Sequence, residues 1–315
     1  MMRGLGNLIR SAAMIAALGT ATVAQAQSAQ QFSGAAFEIN RDRVRLGTIG
    51  SCAKGTTYLI PTLYLHVTAR NTQHAGGGLG NAGSKARVFV QGPDKAGLQQ
   101  LAAQIHADIV GQMRAAGFTV LTFDDIRADV ADRGRMTANP RYGMPTHGAR
   151  AFPGIDFVVV TPNDEQALDY GMMGPQANYG RAAQHSGATL LLPEVFLTLP
   201  QLGASASTSQ GLTWRSSEAK ISFDPAMHLG GANVYGSTAK GAWCSILVPE
   251  HGQRLPAPVA GEFREIGVMR DDYGDWSTKR GDFTFVVDDA AFRTGALAVG
   301  HTLGRLITDT MSGRK

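Results

Sequence analysis

Cysteine is almost absent from this chain of 315 residues, which contains only Cys52 and Cys244. Neither has a second cysteine or a histidine at the spacing of a metal-binding motif, so a structural zinc site is not expected. An isolated pair of cysteines in an oxidising compartment most often forms a disulfide. We therefore predict a Cys52–Cys244 bridge, and two buried free thiols are the alternative.

Charged residues are also scarce, at 17 % of the chain, and lysine and arginine never form a continuous run of more than two residues. The densest basic grouping, Arg41-Asp42-Arg43-Val44-Arg45, is interrupted by an acid and a valine. Proteins that bind nucleic acid usually carry clustered basic residues, because they neutralise backbone phosphates. We therefore expect no nucleic-acid partner.

Long apolar runs are missing, with one exception near the N-terminus. The apolar stretch Ser11–Val23 is shorter than the roughly 20 residues that a membrane-spanning helix needs. Arg3 and Arg10 precede or flank it, and the small-x-small sequence Ala24-Gln25-Ala26 follows it. These three parts are typical of a secretory signal peptide. We predict cleavage after Ala26, and an uncleaved anchor is the alternative.

Cleavage places the mature protein in the periplasm or outside the cell, with no further transmembrane segment. Removing residues 1–26 takes away two arginines and no acid, so the net charge falls from +4 to +2. No cysteine stands at the cleavage site, so a lipoprotein anchor is not expected. We predict a flexible segment over 27–43 and a single globular domain over 44–315, since no change in composition marks another boundary.

Motifs for catalysis or cofactor binding are few. The patterns G-x-S-x-G, H-E-x-x-H and the P-loop do not occur. The segment Gly78–Gly83 matches the dinucleotide pattern G-x-G-x-x-G, which works only where the glycines open a helix. Here they lead into residues 85–91, which have the composition of a strand. We therefore predict no cofactor and no metal site.

Three residues are candidates for catalysis. His147 and His185 lie in segments without a regular pattern, where active-site residues are often found. Asp124 directly follows a predicted strand, and α/β proteins often place ligand sites at strand ends. These residues suit a hydrolase site assembled from distant loops. Surface or core roles are the alternative, because no sequence spacing requires the three to meet.

Two helices are predicted from apolar residues spaced three and four positions apart. The first covers 94–116 with Asp94 as its N-cap, and the second covers 289–312 behind Asp288 or Asp289. Alternating or β-rich segments predict strands at 57–69, 85–91, 118–123, 157–161, 189–199, 218–223, 227–235, 241–248, 264–269 and 282–287. We expect an α/β or α+β fold, a two-layer sandwich of a mixed sheet with these two main helices and long loops.

Three segments without periodicity are predicted as loops. Residues 124–153 are rich in Arg, Asp, Gly and Pro, and residues 170–179 are irregular. Residues 201–210 consist mainly of Ser, Ala, Gly and Thr. Long loops inside a domain are usually functional or mobile. The Met and Tyr residues of 170–179 suit an adaptable contact surface, and packing under the loop is the alternative.

The order of these elements resembles the α/β domain of the curli-secretion-channel family and its periplasmic relatives. The resemblance covers roughly residues 57–312 and includes Gly117-Phe118-Thr119-Val120 and the final Leu303-Gly304-Arg305-Leu306-Ile307. It implies an α/β domain that takes part in outer-membrane assembly. The chain lacks the lipobox cysteine of that family and has inserted segments at 124–153 and 162–186, so no functional residue is carried over.

We predict a non-catalytic exported protein that binds an envelope partner, assembles with itself or joins a surface assembly. The lack of a catalytic motif in a supporting context and the long glycine- and aromatic-bearing loops favour this interpretation. Two alternatives stay open. One is a periplasmic hydrolase with the dispersed site described above. The other is a small-ligand-binding protein, which predicts an enclosed apolar pocket.

Overall fold

The computed structural model describes residues 37–76, 83–131, 142–147, 152–168, 174–210, 215–249, 253–254, 261–273 and 276–314. The predicted signal peptide and its cleavage site lie outside these residues. Within them, helices and a mixed sheet of many strands share one fold, which confirms the predicted α/β or α+β class.

The described residues form five α-helices: α1 Ile49–Cys52, α2 Lys95–Ala115, α3 Phe123–Ala131, α4 Gly174–His185 and α5 Asp289–Met311. Short 3-10 helices lie at Arg41–Arg43 and Asp164–Gln166. The strands are β1 Arg45–Gly47, β2 Thr57–Leu59, β3 Tyr64–Gly76, β4 Gly83–Gln91, β5 Thr119–Leu121, β6 Pro145–His147, β7 Ile155–Val160, β8 Thr189–Thr198, β9 Gln201–Gln210, β10 Arg215–Asp224, β11 His228–Ser237, β12 Trp243–Val248, β13 Gln253–Arg254, β14 Gly261–Tyr273 and β15 Trp276–Val287.

Thirteen of these strands form a single mixed sheet, whose main path runs β1-β12-β11-β8-β3-β4-β15-β14. β3 runs parallel to β8 and antiparallel to β4 and β7. β2 also runs parallel to β8. β2 and β3 therefore pair with the same strand, and residues 60–63 separate them. The gap contains Pro61, which has no N–H to donate to a ladder.

Side chains of β8 alternate between two hydrophobic cores, one on each face of the sheet. Leu191, Val195 and Leu197 belong to the first core, which α2 and α5 complete. Leu190 and Leu192 belong to the second core, to which α3 and α4 contribute. The two main helices therefore form one layer on the sheet, as predicted, and two shorter helices cover part of the opposite face.

The two long helices begin at the aspartates that the sequence predicts as caps. The Asp94 carboxylate accepts a hydrogen bond from the N–H of Gly97 at 2.8 Å. The Asp288 carboxylate accepts one from the N–H of Ala291 at 2.9 Å. Such contacts satisfy amides that have no partner inside the helix. Both predicted helices are confirmed, with bounds that shift by one residue at most.

Two glycines one turn apart in α5 allow it to pack closely against α2. A Cβ atom at Gly300 would lie 2.5 Å from Cγ2 and 3.1 Å from Cβ of Ile105. A Cβ atom at Gly304 would lie 2.7 Å from Nε2 of Gln112. Since the branched Ile105 side chain cannot move clear of a new methyl group without displacing the core, glycine sets the distance between these helices.

The two cysteines lie at disulfide-bond distance, as the sequence predicts. Cys52 ends α1 and Cys244 lies in β12, with sulfur atoms 1.98 Å apart and Cα atoms 6.2 Å apart. Both residues are buried. The bridge closes a sequence separation of 192 residues. The chain-entropy model gives such a closure about 5 kcal/mol of stabilisation.

The three segments predicted as loops contain regular structure, so those predictions are wrong in part. α3 occupies the start of 124–153, and α4 begins inside 170–179. Residues 201–210 form the strand β9. For α3 and α4 the stabilising partner is distant in sequence, and for β9 it is the adjacent strand of a hairpin. Phe123 of α3 and Tyr179 of α4 are buried in the second core, and β9 pairs with β10.

We expect Gly300→Ala to lower the free energy of unfolding by about 1–3 kcal/mol, because the added methyl group overpacks the contact with Ile105. Chemical denaturation measures the change. The matched control is Gly111→Ala in α2, where an added Cβ meets nothing within 4 Å. There the gain in helix propensity is expected to stabilise the protein by about 0.5–1 kcal/mol. Equal stabilisation by both substitutions would contradict the close helix packing.

Breaking the bridge in a Cys52→Ser, Cys244→Ser double variant is expected to lower the free energy of unfolding by about 4–5 kcal/mol, because the unfolded chain regains its freedom. Denaturation of the wild-type protein with and without reductant gives the same comparison without substitution. Peptide mass spectrometry of non-reduced protein is expected to show a peptide crosslinked through Cys52 and Cys244. Two alkylatable free thiols in the native protein would overturn this assignment.

Candidate functional site

Asp124, one of the three catalytic candidates, lies in the first turn of α3 as part of a surface ion-pair network. Its carboxylate accepts a hydrogen bond from Arg127 at 2.6 Å. Arg127 also contacts Glu165 and lies over the Phe123 ring, 5.2 Å from its centroid. The neighbouring Asp125 caps the same helix, accepting from the N–H of Thr122. These contacts give the acidic pair a structural role at the start of α3.

The two histidine candidates lie on other elements. His185 ends α4, and its Nδ1 lies 2.7 Å from the Asp129 carboxylate, so this pair joins α4 to α3. His147 ends β6, where the register places it opposite Asp156. The side chain of His147 lies outside the described residues. Among the described contacts, none joins Asp124 to His185. The dispersed hydrolase site therefore stays a prediction.

Two further histidines hold the long helix α2 in place. The buried Nε2–H of His106 donates to the Ile60 carbonyl at 2.8 Å. Burial lowers the pKa of His106. On the other side, Nδ1 of His301 in α5 lies 3.0 Å from Asp108 and 3.1 Å from the Gln112 amide. Both arrangements connect α2 to its neighbours.

A cluster of aromatic rings on the sheet includes a histidine that sequence analysis did not select. The His66 imidazole stacks on Phe196 with ring centroids 4.1 Å apart, and Phe152 stacks on Phe196 at 4.9 Å. Phe157 meets both phenylalanines edge-on. Nε2 of His66 is buried without a hydrogen-bond partner, and burial lowers the pKa of His66 to about 3. The neutral imidazole therefore packs as a fourth ring.

The strands β9 and β10 form a two-stranded sheet of their own, which we call the hairpin arm. Its apolar cross-strand pairs share one row, which consists of Leu202–Phe223, Ala204–Ile221 and Ala206–Ala219. The other row is small or polar and includes Gly203–Ser222 and Ser205–Lys220. The arm is therefore an amphipathic ribbon.

The base of the hairpin arm is fixed to the first core. Leu202 and Phe223 pack against that core, and the Phe223 ring meets Phe283 edge-on with centroids 5.0 Å apart. Just before β9, the side-chain amide of Asn71 donates to the carbonyl of Pro200 at 3.0 Å. These contacts orient the arm where it leaves β8 and lies along β3 and β4.

Beyond this base the strand β9 is exposed on both rows, whereas Ala219 and Ile221 of β10 are half-buried. Every β9 residue from Gly203 to Ser207 is exposed, including the apolar Ala204 and Ala206. Within the described part of the chain, neither strand of the arm pairs with a strand outside it. An isolated two-stranded hairpin is marginally stable in water, and open strand edges accept strands from other proteins. This arrangement suits the arm for protein–protein contact.

The N-terminal end of the described chain forms a cleft of about 570 Å³ with α5. Six of its nine lining residues are polar, among them Glu38, Arg41 and Arg305. Small-ligand sites are mostly apolar and enclosed. The cleft therefore does not have the character that the small-ligand alternative predicts.

No family model, curated protein or solved structure shows significant similarity to the chain. The resemblance to the curli-secretion-channel family stays a prediction. Among the described residues, no three His, Cys, Asp or Glu side chains come together as a metal site. No helix in the described ranges is both long and apolar enough to cross a membrane. We take the hairpin arm as the candidate functional site because its strand edges are unpaired within the described residues and its strand β9 is exposed.

The low pKa of His66 predicts a loss of stability in mild acid. Between the unfolded value of 6.5 and the folded value of about 3, the unfolded chain binds a proton that the folded protein excludes. The stabilisation is present above pH 6.5 and declines as the pH falls towards 3. We expect His66→Phe to remove about 2 kcal/mol of the difference in unfolding free energy between pH 7 and pH 5.

Urea denaturation of the wild-type protein and His66→Phe at the two pH values measures this effect. His74→Phe, at an exposed position of the same strand, is the matched control. The same pH dependence in the wild type and in His66→Phe would show that the imidazole is not held neutral in the aromatic cluster.

Proposed function

We propose that the mature chain is an exported, non-catalytic protein that joins a protein assembly through its hairpin arm. The observation that carries this proposal is the exposure of both rows of β9 between Gly203 and Ser207. A strand exposed on both rows buries little apolar area within its own chain. Contact with another protein would supply the burial that the arm lacks.

The edges of the hairpin arm favour a protein partner. Strand addition uses backbone hydrogen bonds for affinity and alternate side chains for specificity. The arm offers both, since Ala204 and Ile221 share the apolar row while Ser205 and Lys220 share the polar row. The partner is either an envelope protein or a second copy of the chain.

Export is part of the same proposal. The buried cysteine pair at disulfide distance is compatible with an oxidising compartment. The N-terminal pattern of residues 1–26 supports a signal peptide that is cleaved after Ala26. We propose that the mature protein acts in the periplasm or at the cell surface.

The described contacts of the catalytic candidates agree with a binding role. Asp124 pairs with Arg127 inside α3, and His185 pairs with Asp129, which joins α4 to α3. Ion pairs of this kind have a structural explanation and need no substrate. The alternative of a hydrolase would require His147 to meet one of these residues in a concave pocket.

Site-specific photo-crosslinking in exporting bacterial cells tests the proposal. A photoreactive amino acid replaces Ser205, which is exposed on the polar row of β9. We expect a defined adduct, either with a copy of the chain or with one partner protein. The same amino acid at Gln104, exposed on α2, is the matched control and is expected to give none.

Shortening the hairpin arm provides an independent readout. Replacing residues 203–222 by Asn-Gly keeps Leu202 opposite Phe223 and closes the hairpin with a two-residue turn. We expect the variant to be exported and to unfold at nearly the wild-type temperature, but to lose the higher-mass species in size-exclusion chromatography with light scattering. A monomeric wild type without a Ser205 adduct would refute the proposal.

A further inference from the structure

An exposed tryptophan lies at one end of the main sheet. The main path of the sheet starts with β1, and β12 is the next strand. Trp243, the first residue of β12, is 53 % exposed, and Leu46 of β1 is 51 % exposed. The register places Leu46 opposite Ile246, three residues after Trp243, so the two side chains extend from opposite faces of the sheet. Single apolar residues on a surface are ordinary, so the surroundings decide whether these two form a contact surface.

Three exposed cations lie beside these apolar residues. Arg45 belongs to β1, and Lys240 lies in the turn that joins β11 to β12. Lys54 comes two residues after Cys52, whose bridge to Cys244 holds the end of α1 beside β12, with Cα atoms 6.2 Å apart. The fold therefore brings cations from three separate segments to one end of the sheet.

The helix α4 adds a fourth cation at this end. A Cβ atom at Gly241, in the turn between β11 and β12, would lie 3.7 Å from Nε2 of Gln184. A Cβ atom at Gly180 would lie 3.5 Å from Oγ of Ser237, the last residue of β11. α4 therefore packs against this turn, and its exposed Arg181 follows Gly180 directly. We use the name Trp243 corner for the two apolar residues and the four cations, which are Leu46, Trp243, Arg45, Lys54, Arg181 and Lys240.

The segments that form the Trp243 corner contain no acid. Aspartate and glutamate are absent from residues 43–93, 170–193 and 225–249, which supply all the residues of the corner. The whole chain has 25 acids against 29 lysines and arginines, so these stretches depart from its average composition. Protein surfaces usually intersperse charges of both signs. The corner is therefore a cationic surface on a chain with little net charge.

Acids that border these segments do not pair with the cations of the Trp243 corner. Asp42 lies just before the first segment, and Glu194, which follows the second, is buried. Asp129 of α3 lies 2.7 Å from Nδ1 of His185 at the end of α4. Within the described part of the chain, none of the four cations forms an ion pair. Their charges are therefore available to an anionic ligand.

We propose that the Trp243 corner binds the surface of a membrane that contains anionic phospholipids. Tryptophan is enriched where lipid headgroups meet acyl chains, because its ring is apolar and its N–H needs a polar partner. Lysine and arginine beside such a ring are attracted by the negative headgroups. Leu46 and Trp243 lie on opposite faces of the sheet, and a fluid headgroup layer that meets the sheet edge-on contacts both.

This surface is separate from the hairpin arm. The arm lies along β3 and β4, and β3 is three strands away from β12 on the main path. Membrane attachment at the Trp243 corner therefore uses none of the residues that the proposed assembly uses. It is measured with purified protein and lipid alone, so the two proposals can fail separately.

Vesicle flotation of the oxidised mature protein tests the proposal. Vesicles of phosphatidylcholine are compared with vesicles of phosphatidylcholine and phosphatidylglycerol, which carry negative charge. We expect the protein to float with the anionic vesicles and to stay at the bottom of the gradient with the neutral ones. Raising the salt concentration is expected to release the protein, because salt screens exposed charges.

Replacement of the tryptophan tests the apolar part of the contact. We expect Trp243→Ala to lower the partition coefficient on anionic vesicles about tenfold, since burial of a half-exposed large side chain is lost. A second variant, Trp214→Phe with Trp276→Phe, keeps Trp243 as its sole tryptophan. Its fluorescence emission is expected to shift to the blue when anionic vesicles are added, and to stay unchanged with neutral vesicles.

Replacement of single lysines tests the charged part. Lys54→Gln and Lys240→Gln are each expected to lower the partition coefficient about fivefold. Lys85→Gln removes the same charge from β4, away from the corner, and is the matched control. We expect this control to bind vesicles as the wild type does. Thermal unfolding of each variant checks that the fold is retained.

Three results would overturn the proposal. The first is a wild-type protein that does not float with anionic vesicles at low salt, or that floats equally with neutral ones. The second is equal loss of binding in Lys85→Gln and Lys240→Gln, which would indicate attraction by overall charge. The third is a defined protein adduct from a photoreactive amino acid at Lys240 in exporting cells, which would show that the corner contacts a protein.

Discussion

The strand β8 lies between two hydrophobic cores, and nine of its ten residues are buried. A strand buried on both faces needs cover from both sides, which explains why helices pack on each. α2 and α5 enclose the larger core, where Gly300 sets their separation, and α3 and α4 contribute to the smaller one. The Cys52–Cys244 bridge attaches α1 to β12, the strand beyond β11 in the same sheet. The chain is therefore held together around β8.

The hairpin arm differs from this body in the source of its stability. Its base shares the first core through Leu202 and Phe223, whereas residues 203–207 of β9 are exposed. Cross-strand hydrogen bonds alone hold such a ribbon weakly. Local stability in a protein varies with buried apolar contact, and elements that bind or move have the least. The buried His228 begins β11, where the chain passes from the hairpin arm back to the main sheet.

Sequence patterns predicted the elements whose signals are local. The apolar stripes and the caps Asp94 and Asp288 predicted both long helices. The presence of only two cysteines predicted that they pair with each other. The strand β9 was missed because its Ser and Ala residues have little β propensity, although the alternation of Ala219, Ile221 and Phe223 in β10 was visible and required a partner. The glycines and prolines that follow α3 and the Gly174-Pro175 pair that begins α4 concealed these helices, whose buried faces form only against the sheet.

The candidate site also divides into features that local sequence predicts and features that depend on tertiary contacts. The sequence by itself determined the class of fold, the two main helices and the cysteine pair, because periodicity, capping and cysteine count act within short segments or on residue type. Tertiary structure decided that Asp124 and His185 enter separate ion pairs and that His66 packs among phenylalanines. Burial and the approach of charges depend on which distant segments meet, and only the folded chain fixes those distances.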